Sequence, residues 1–334
     1  MVWKNPWYDP AKAHHTPEGF RNPEADLRQQ GDLRRWQKER KAQGLPFPPA
    51  GGYQAFIAQW WQPADLSGSE DAIWWLGHAC LMLRINQRYT LIDPALSQRA
   101  SPLRFYGPAR KTPAPLDINA LPALDTVLIS HNHYDHLDRP TIRKILRRFP
   151  AVQFVVPLGL KPWFEKQGAR HVIQLDWWEA ASLTDMKIHA VPARHWSMRS
   201  LKDRNRSLWC GWTISAGNLS FWFTGDSGYT ENLLDIPRRL GPFNVAALPV
   251  GAYAPKWFMH GQHMDPQQAV SLHRDLGCPL SIPIHWGVFE LADESLDAPP
   301  AELAQSMQAA GLEARRFQAW RIGARKLINN IDQE

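Results

Sequence analysis

The chain runs to 334 residues, enough for one large domain or two small ones with a sizeable buried core. Its cysteines, Cys80, Cys210 and Cys278, are odd in number and far apart, which argues against a disulfide scaffold. The net charge of +6 suits an anionic partner, a membrane surface or nucleic acid, without choosing between them.

The N-terminus, MVWKNPWYDPAKAHH, reads as neither signal peptide nor anchor, and no run of about eighteen apolar residues follows it, so a reducing, cytoplasmic setting is expected. Residues 1–70 are polar, proline-rich and weakly periodic, as in an extension that wraps a core; residues 71–334 then form the main domain. Within the extension, one surface helix is expected between Pro23 and Lys41, with Leu27, Leu33 and Trp36 among charges. From Ala72 the pattern changes to short β runs. IWWLGHACLMLRI and YTLID read as a first hairpin, and TVLIS (126–130) as a buried strand that ends at His131.

Asp138 and Pro140 then open a helix with Ile142, Ile145, Leu146 and Phe149 on one face and Arg143, Lys144, Arg147 and Arg148 on the other. A basic face of that kind is usually solvated, and it also suits anionic lipid. QFVVP, a helix near 160–167 and HVIQL repeat the pattern. A second block of strands follows: KIHAVPA, SLWCGWTIS, LSFWFTG and VAALPV. Asp265 and Pro266 start another helix that Gly277 closes, SIPIH is the last clear strand, and a helix near 299–310 follows. The seventeen tryptophans, several in pairs such as Trp74–Trp75 and Trp177–Trp178, suit either aromatic core packing or a lipid interface.

The densest chemistry is His131-Asn132-His133-Tyr134-Asp135-His136, in a loop directly after a buried strand. Imidazole nitrogens beside a carboxylate form a ligand mixture that zinc accepts, and manganese and iron also accept it. In an extended segment His131 and His133 can face one ion while Asp135 and His136 reach a second. His195, Asp226 and His285 also stand at strand ends; Gly225 and Gly228 allow a tight turn around Asp226. Each alone reads as an ordinary hydrogen-bonded residue. Together they supply a third histidine for each ion and a carboxylate to bridge them.

The loop resembles the HxHxDH motif of the metallo-β-lactamase superfamily, which implies an αββα sandwich. It also implies one metal on His131, His133 and His195, a second on Asp135, His136 and His285, and Asp226 between them. A longer resemblance runs from about 72 to 290. WLGHA (75–79), RASPLRFYGP (99–108), LISHNHYDHLD (128–138), LDWWE (175–179), GDSGY (225–229), PVGAYAPKWFM (249–259) and IHWGVF (284–289) are similar to the N-acyl-phosphatidylethanolamine-hydrolysing phospholipase D family. GFRNP (19–23) matches a short motif in that family's extension, whereas the rest of residues 1–70 does not.

The resemblance implies a two-zinc phosphodiesterase that acts on a phospholipid, with Asp135 and Asp226 at the reacting centre. It also implies Tyr134 and His263 beside the substrate, peripheral membrane contact and a homodimer. His263 is expected to hydrogen-bond the phosphate or protonate the leaving group. His78, between apolar strand residues, reads as structural, and His14, His15, His171, His189, His260 and His273 have no evident partners. The competing enzymatic reading is a metal-dependent phosphodiesterase or lactonase acting on a soluble metabolite. A non-catalytic binding protein would be expected to lose ligands, and no nucleic-acid module is recognisable.

Overall fold

The computed structural model describes residues 3–25 and 28–331. The chain opens with a short hairpin, β1 (His15–Thr16) and β2 (Gly19–Phe20), and then helices α1 (Asp32–Gln43) and α2 (Gly52–Trp60). The helix expected between Pro23 and Lys41 is therefore α1, displaced towards its C-terminal end; Asp26 and Leu27 lie outside the described residues. α1 buries none of its residues. It docks through Trp36, which stacks on Phe258 at 4.9 Å and donates its indole N–H to Asp293 at 3.0 Å.

The first sheet starts with β3 (Ala72–Trp75), β4 (Leu81–Ile85) and β5 (Arg88–Ile92) as an antiparallel meander. This corrects the single hairpin: the apolar run IWWLGHACLMLRI turns on itself at residues 76–80, where Gly77 (φ 93°) and His78 (φ 53°) adopt left-handed conformations. β6 (Thr126–Leu128), β7 (Gln153–Pro157) and β8 (His171–Leu175) extend the sheet in parallel, with crossovers that contain α3 (Arg139–Arg148) and α4 (Lys161–Lys166). α3 begins at Asp138, but the Asp138 carboxylate makes no capping bond; it accepts from Ser97 and from the Thr141 hydroxyl.

The second sheet joins β9 (Ala180–Leu183), β10 (Met186–Val191), β11 (Gly211–Ala216) and β12 (Leu219–Phe223) as antiparallel neighbours. β13 (Val245–Pro249) and β14 (Leu280–Ile284) then run parallel to β12. Between and after these strands come α5 (Asp235–Leu240), α6 (Lys256–Met259), α7 (Pro266–Leu276) and α8 (Ala298–Ala309). α7 starts with a full capping box, Asp265 with Gln268, and closes at Gly277, as the sequence indicates. A last strand, β15 (Arg325–Leu327), returns to the edge of the first sheet beside β3.

The pleat explains the layers. Ile73 and Trp75 point inward with Leu81 and Leu83, towards Trp212, Ile214, Phe221 and Phe223 of the second sheet. Their strand neighbours Trp74 and Met82 point outward, onto Ile142 and Ile145 of α3 and Phe164 of α4. α7 and α8 pack on the far side of the second sheet. The result is the expected αββα sandwich. The tryptophans belong largely to its core: Trp74, Trp75, Trp209, Trp212 and Trp222 are fully buried. No helix among the described residues is long and apolar enough to cross a membrane.

Candidate metal centre

Strand direction gathers the chemistry at one end of the sandwich. β10 and β12 are both antiparallel to β11, and β14 runs parallel to β12 through β13, so all three end on the same side. His195, Asp226 and His285 follow those three ends, and His131 follows β6 of the other sheet. The loop after β12 is forced into shape by Gly225 (φ 64°), where a Cβ would come within 2.7 Å of the Cys210 carbonyl oxygen.

The sequence-predicted ligands meet there. His131 Nε2 lies 2.8 Å from His133 Nδ1, and His195 Nε2 lies 3.1 Å from the same nitrogen, so one trio converges on a point. Asp135, His136 and His285 form the other group: Asp135 Oδ2 is 3.3 Å from His136 Nε2 and 3.4 Å from His285 Nε2. Asp226 stands between the two. Its Oδ2 is 3.8 and 3.6 Å from His131 and His195, and 3.1 and 3.0 Å from His136 and His285.

These residues suit cations. The Nε2 atoms of His136 and His285 and Oδ1 of Asp226 are buried without a hydrogen-bond partner, although close to one another. Nitrogen lone pairs that face each other at such distances repel unless a positive charge sits among them. Burial holds His131 and His195 well below the ordinary imidazole pKa. At His285 burial acts the same way, but Asp226 and Asp135 overcome it and carry the group up to about 9, so this half of the cluster attracts positive charge.

The remaining predicted residues surround the same space. His263 lies with Nδ1 4.0 Å from Asp226 Oδ2, and its ring is 5.1 Å from those of His195 and His285. Tyr134 also lines the cavity, but its hydroxyl donates to the Arg199 carbonyl at 2.8 Å, so the phenol proton is already engaged. The cavity holds about 770 Å³; its floor is the ligand cluster, and Leu33, Trp36, Met198, Leu201, Phe258 and Met259 contribute apolar wall.

Residues 88–286 match the model of the β-lactamase superfamily domain. The chain is 36% identical to N-acyl-phosphatidylethanolamine-hydrolyzing phospholipase D 1 of Caenorhabditis elegans, across 74% of this chain and 73% of that protein. It is 34% identical to the mitochondrial N-acyl-phosphatidylethanolamine-hydrolyzing phospholipase D of Saccharomyces cerevisiae, across 73% of this chain and 53% of the yeast protein. An uncharacterized protein of Mycobacterium tuberculosis is 39% identical, and there the match spans 70% of this chain and 63% of the relative. The chain belongs to the metallo-β-lactamase superfamily. Within it, the chain groups with the N-acyl-phosphatidylethanolamine-hydrolysing phospholipases D, and it is a metal-dependent hydrolase.

Solved structures agree on the fold. Igni18, a metallo hydrolase of Ignicoccus hospitalis, aligns with a TM-score of 0.58 at 21% identity, covering 77% of this chain and 97% of that one. An isothiocyanate hydrolase from Delia radicum gut bacteria gives 0.59 at 17% identity, covering 76% and 98%.

In this metallo-β-lactamase fold, outer residues that sequence reasoning passed over fix the inner ones. Asp93, at the end of β5, accepts from His136 Nδ1 at 2.7 Å and from the Ser130 hydroxyl at 2.5 Å; Ser130 in turn contacts His131 Nδ1 at 2.9 Å. Those bonds hold the Nδ1 protons outward and leave both Nε2 lone pairs facing the centre. His78 is structural in this sense too. Its Nε2 lies 2.8 Å from Asp135 Oδ2, and its ring is 4.1 Å from that of His285. Arg199 is half-buried, with its guanidinium 4.0 Å from the Tyr134 ring, and donates to the carbonyls of Asn132 and Leu137, which braces the ligand loop. His14 and His15 do have a partner, the Asp176 carboxylate. The pairing was hidden because it joins residues more than 160 positions apart.

Proposed function

We propose that the chain hydrolyses the phosphodiester of N-acyl-phosphatidylethanolamine, or of a closely related phospholipid, releasing an N-acylethanolamine and phosphatidate. The observation that carries this reading is the make-up of a single cavity, whose floor is the histidine–aspartate cluster and whose wall is largely apolar. A substrate that joins an anionic phosphodiester to long acyl chains matches both surfaces at once. The names of the nematode and yeast relatives point to the same substrate.

In this proposal His131, His133 and His195 would hold one zinc ion and Asp135, His136 and His285 a second, with Asp226 between the two groups. When bound, such a pair supplies Lewis acidity: it lowers the pKa of water towards about 7 and neutralises phosphate charge. The chain's own groups then do the positioning. Asp135 orients the attacking water from the second group. His263 donates a hydrogen bond to the phosphate or a proton to the leaving oxygen. Tyr134, with its own proton held by Arg199, meets the substrate through its phenolic oxygen as an acceptor.

The substrate enters from a membrane surface. Phe105 and Tyr106 are 80% and 73% exposed, and Leu201, at the cavity mouth, is 97% exposed. Arg104, beside Phe105, shares a surface cleft with Arg143, Lys144 and Arg147 of α3. Exposed aromatics beside basic side chains suit a cytoplasmic enzyme in peripheral contact with anionic lipid. A homodimer belongs to the same proposal and is read by sedimentation.

The test is to offer the zinc-loaded protein N-acyl-phosphatidylethanolamine in mixed micelles. Release of N-acylethanolamine well above a His131→Ala control supports the proposal. Turnover confined to water-soluble phosphodiesters or lactones would instead identify a hydrolase of a soluble metabolite.

A further inference from the structure

Residues 3–22 form a strap that ends on the back of the metal centre. The Asn22 carboxamide grips the backbone of His195 at two points: Nδ2 donates to the His195 carbonyl at 2.9 Å, and the His195 N–H donates to Oδ1 at 3.2 Å. His195 lies in the irregular stretch between β10 and β11, where, among the described residues, its peptide groups pair with no strand. Asn22 supplies both. With the peptide fixed, the imidazole has one further tether, Nδ1 to the Gln262 carbonyl at 3.1 Å, which leaves Nε2 aimed at His133 and Asp226.

The strap is itself anchored well away from the ligands. The buried Asp176 carboxylate takes His14 Nε2 at 2.7 Å, His15 Nε2 at 2.9 Å and Lys12 Nζ at 2.6 Å. His14, His15 and Asp176 have the composition of a metal site, but their converging atoms bond one another and Lys12, so they form a clasp. Nearer the centre, the Phe20 N–H donates to the Asn205 carbonyl at 2.8 Å, and a Cβ on Gly19 (φ 146°) would collide with that same carbonyl. Asn205 then accepts the Ser197 N–H at 3.2 Å, two residues beyond His195. The strap thus holds the His195 loop on both sides of the ligand.

We infer that Asn22 is a positioning residue for the metal trio of His131, His133 and His195, and that the clasped strap is a working part of that half of the centre. The inference rests on the proposed role of His195 as a ligand. Outer partners of metal-bound histidines typically govern affinity by about 10–100-fold. Asn22 touches the backbone of one ligand in one trio, so its removal should weaken one ion and spare the other.

The experiment is a cobalt(II) titration of the metal-free chain, strap included, followed by visible absorption and calorimetry. Wild type should bind two equivalents. Asn22→Ala should keep one step unchanged and weaken the other by about 10–100-fold. Asn22→Asp, which keeps the acceptor and loses the donor, should fall between and carries the test if the alanine variant does not accumulate. A His14→Ala/His15→Ala double variant, which loosens the strap at its far end, should weaken the same step. An Asn22→Ala titration identical to wild type, or equal weakening of both steps with a lowered melting temperature, would overturn the role of Asn22 alone. A wild-type protein that takes up no cobalt would overturn the ligand assignment and the role of Asn22 with it.

Discussion

Asp135 shows how one side chain is set by others. Its Oδ2 faces His136 and His285 across 3.3 and 3.4 Å while His78 holds the same oxygen at 2.8 Å. His78 does so from a left-handed backbone position, φ 53°, in the turn between β3 and β4. Replacing His78 by alanine frees Asp135 to rotate, and zinc affinity should fall by about 10–100-fold in a chelator-competition assay. Affinity equal to wild type would show that Asp135 needs no such hold. Asp93→Asn should weaken both halves of the centre, because Asp93 orients His136 directly and His131 through Ser130. The proposed ligands are legible in the chain, since His131, His133, Asp135 and His136 crowd into one loop. Asp93 and His78 are not, because their importance lies in which atom they bond across the fold.

The strap, α1 and the strand-end loops decide how the centre is supported and reached. Burial pushes the Asp176 carboxyl up, but hydrogen bonds from His14 and Lys12 outweigh it and hold the group well below the usual carboxylate range. A depressed carboxylate contributes stability that is full above the ordinary pKa and is lost as pH falls to the folded value. Burial also pushes His15 below its ordinary value of 6.5, so its contribution likewise fades on acidification, starting at higher pH. Asp176→Asn should therefore lower the melting temperature at pH 7 and the difference should shrink in acid; a difference that grows in acid would contradict the clasp. At the cavity wall, Trp36→Ala removes the stack on Phe258, and it should change acyl-chain preference in micelle assays more than turnover of a short-chain substrate. Several boundaries at this level escaped the sequence for a physical reason. The meander turn lies inside an unbroken apolar run, and β15 is a short charged segment whose partner, β3, lies some 250 positions away.

The sandwich as a whole follows from the motif resemblance; alternation of strand and helix patterns alone supports only a mixed α/β protein. Its stability rests on aromatic packing between and around the sheets. Trp222, fully buried beside Phe243, should cost about 3–5 kcal/mol on replacement by alanine, measured by denaturant unfolding. A loss below about 1 kcal/mol would mean that the site collapses around the deletion. Because the centre joins loops from both sheets, ions that bind only the folded state should also staple the layers together. Removing them with a chelator should lower the melting temperature, and adding zinc back should restore it in a concentration-dependent way.

The centre and the cavity are tested together by titrating zinc into the metal-free protein while measuring release of N-acylethanolamine from N-acyl-phosphatidylethanolamine. The account predicts that activity rises with added metal and levels off at two equivalents per chain. Full activity in protein rigorously stripped of metal, or none at any zinc, manganese or iron loading, would contradict it.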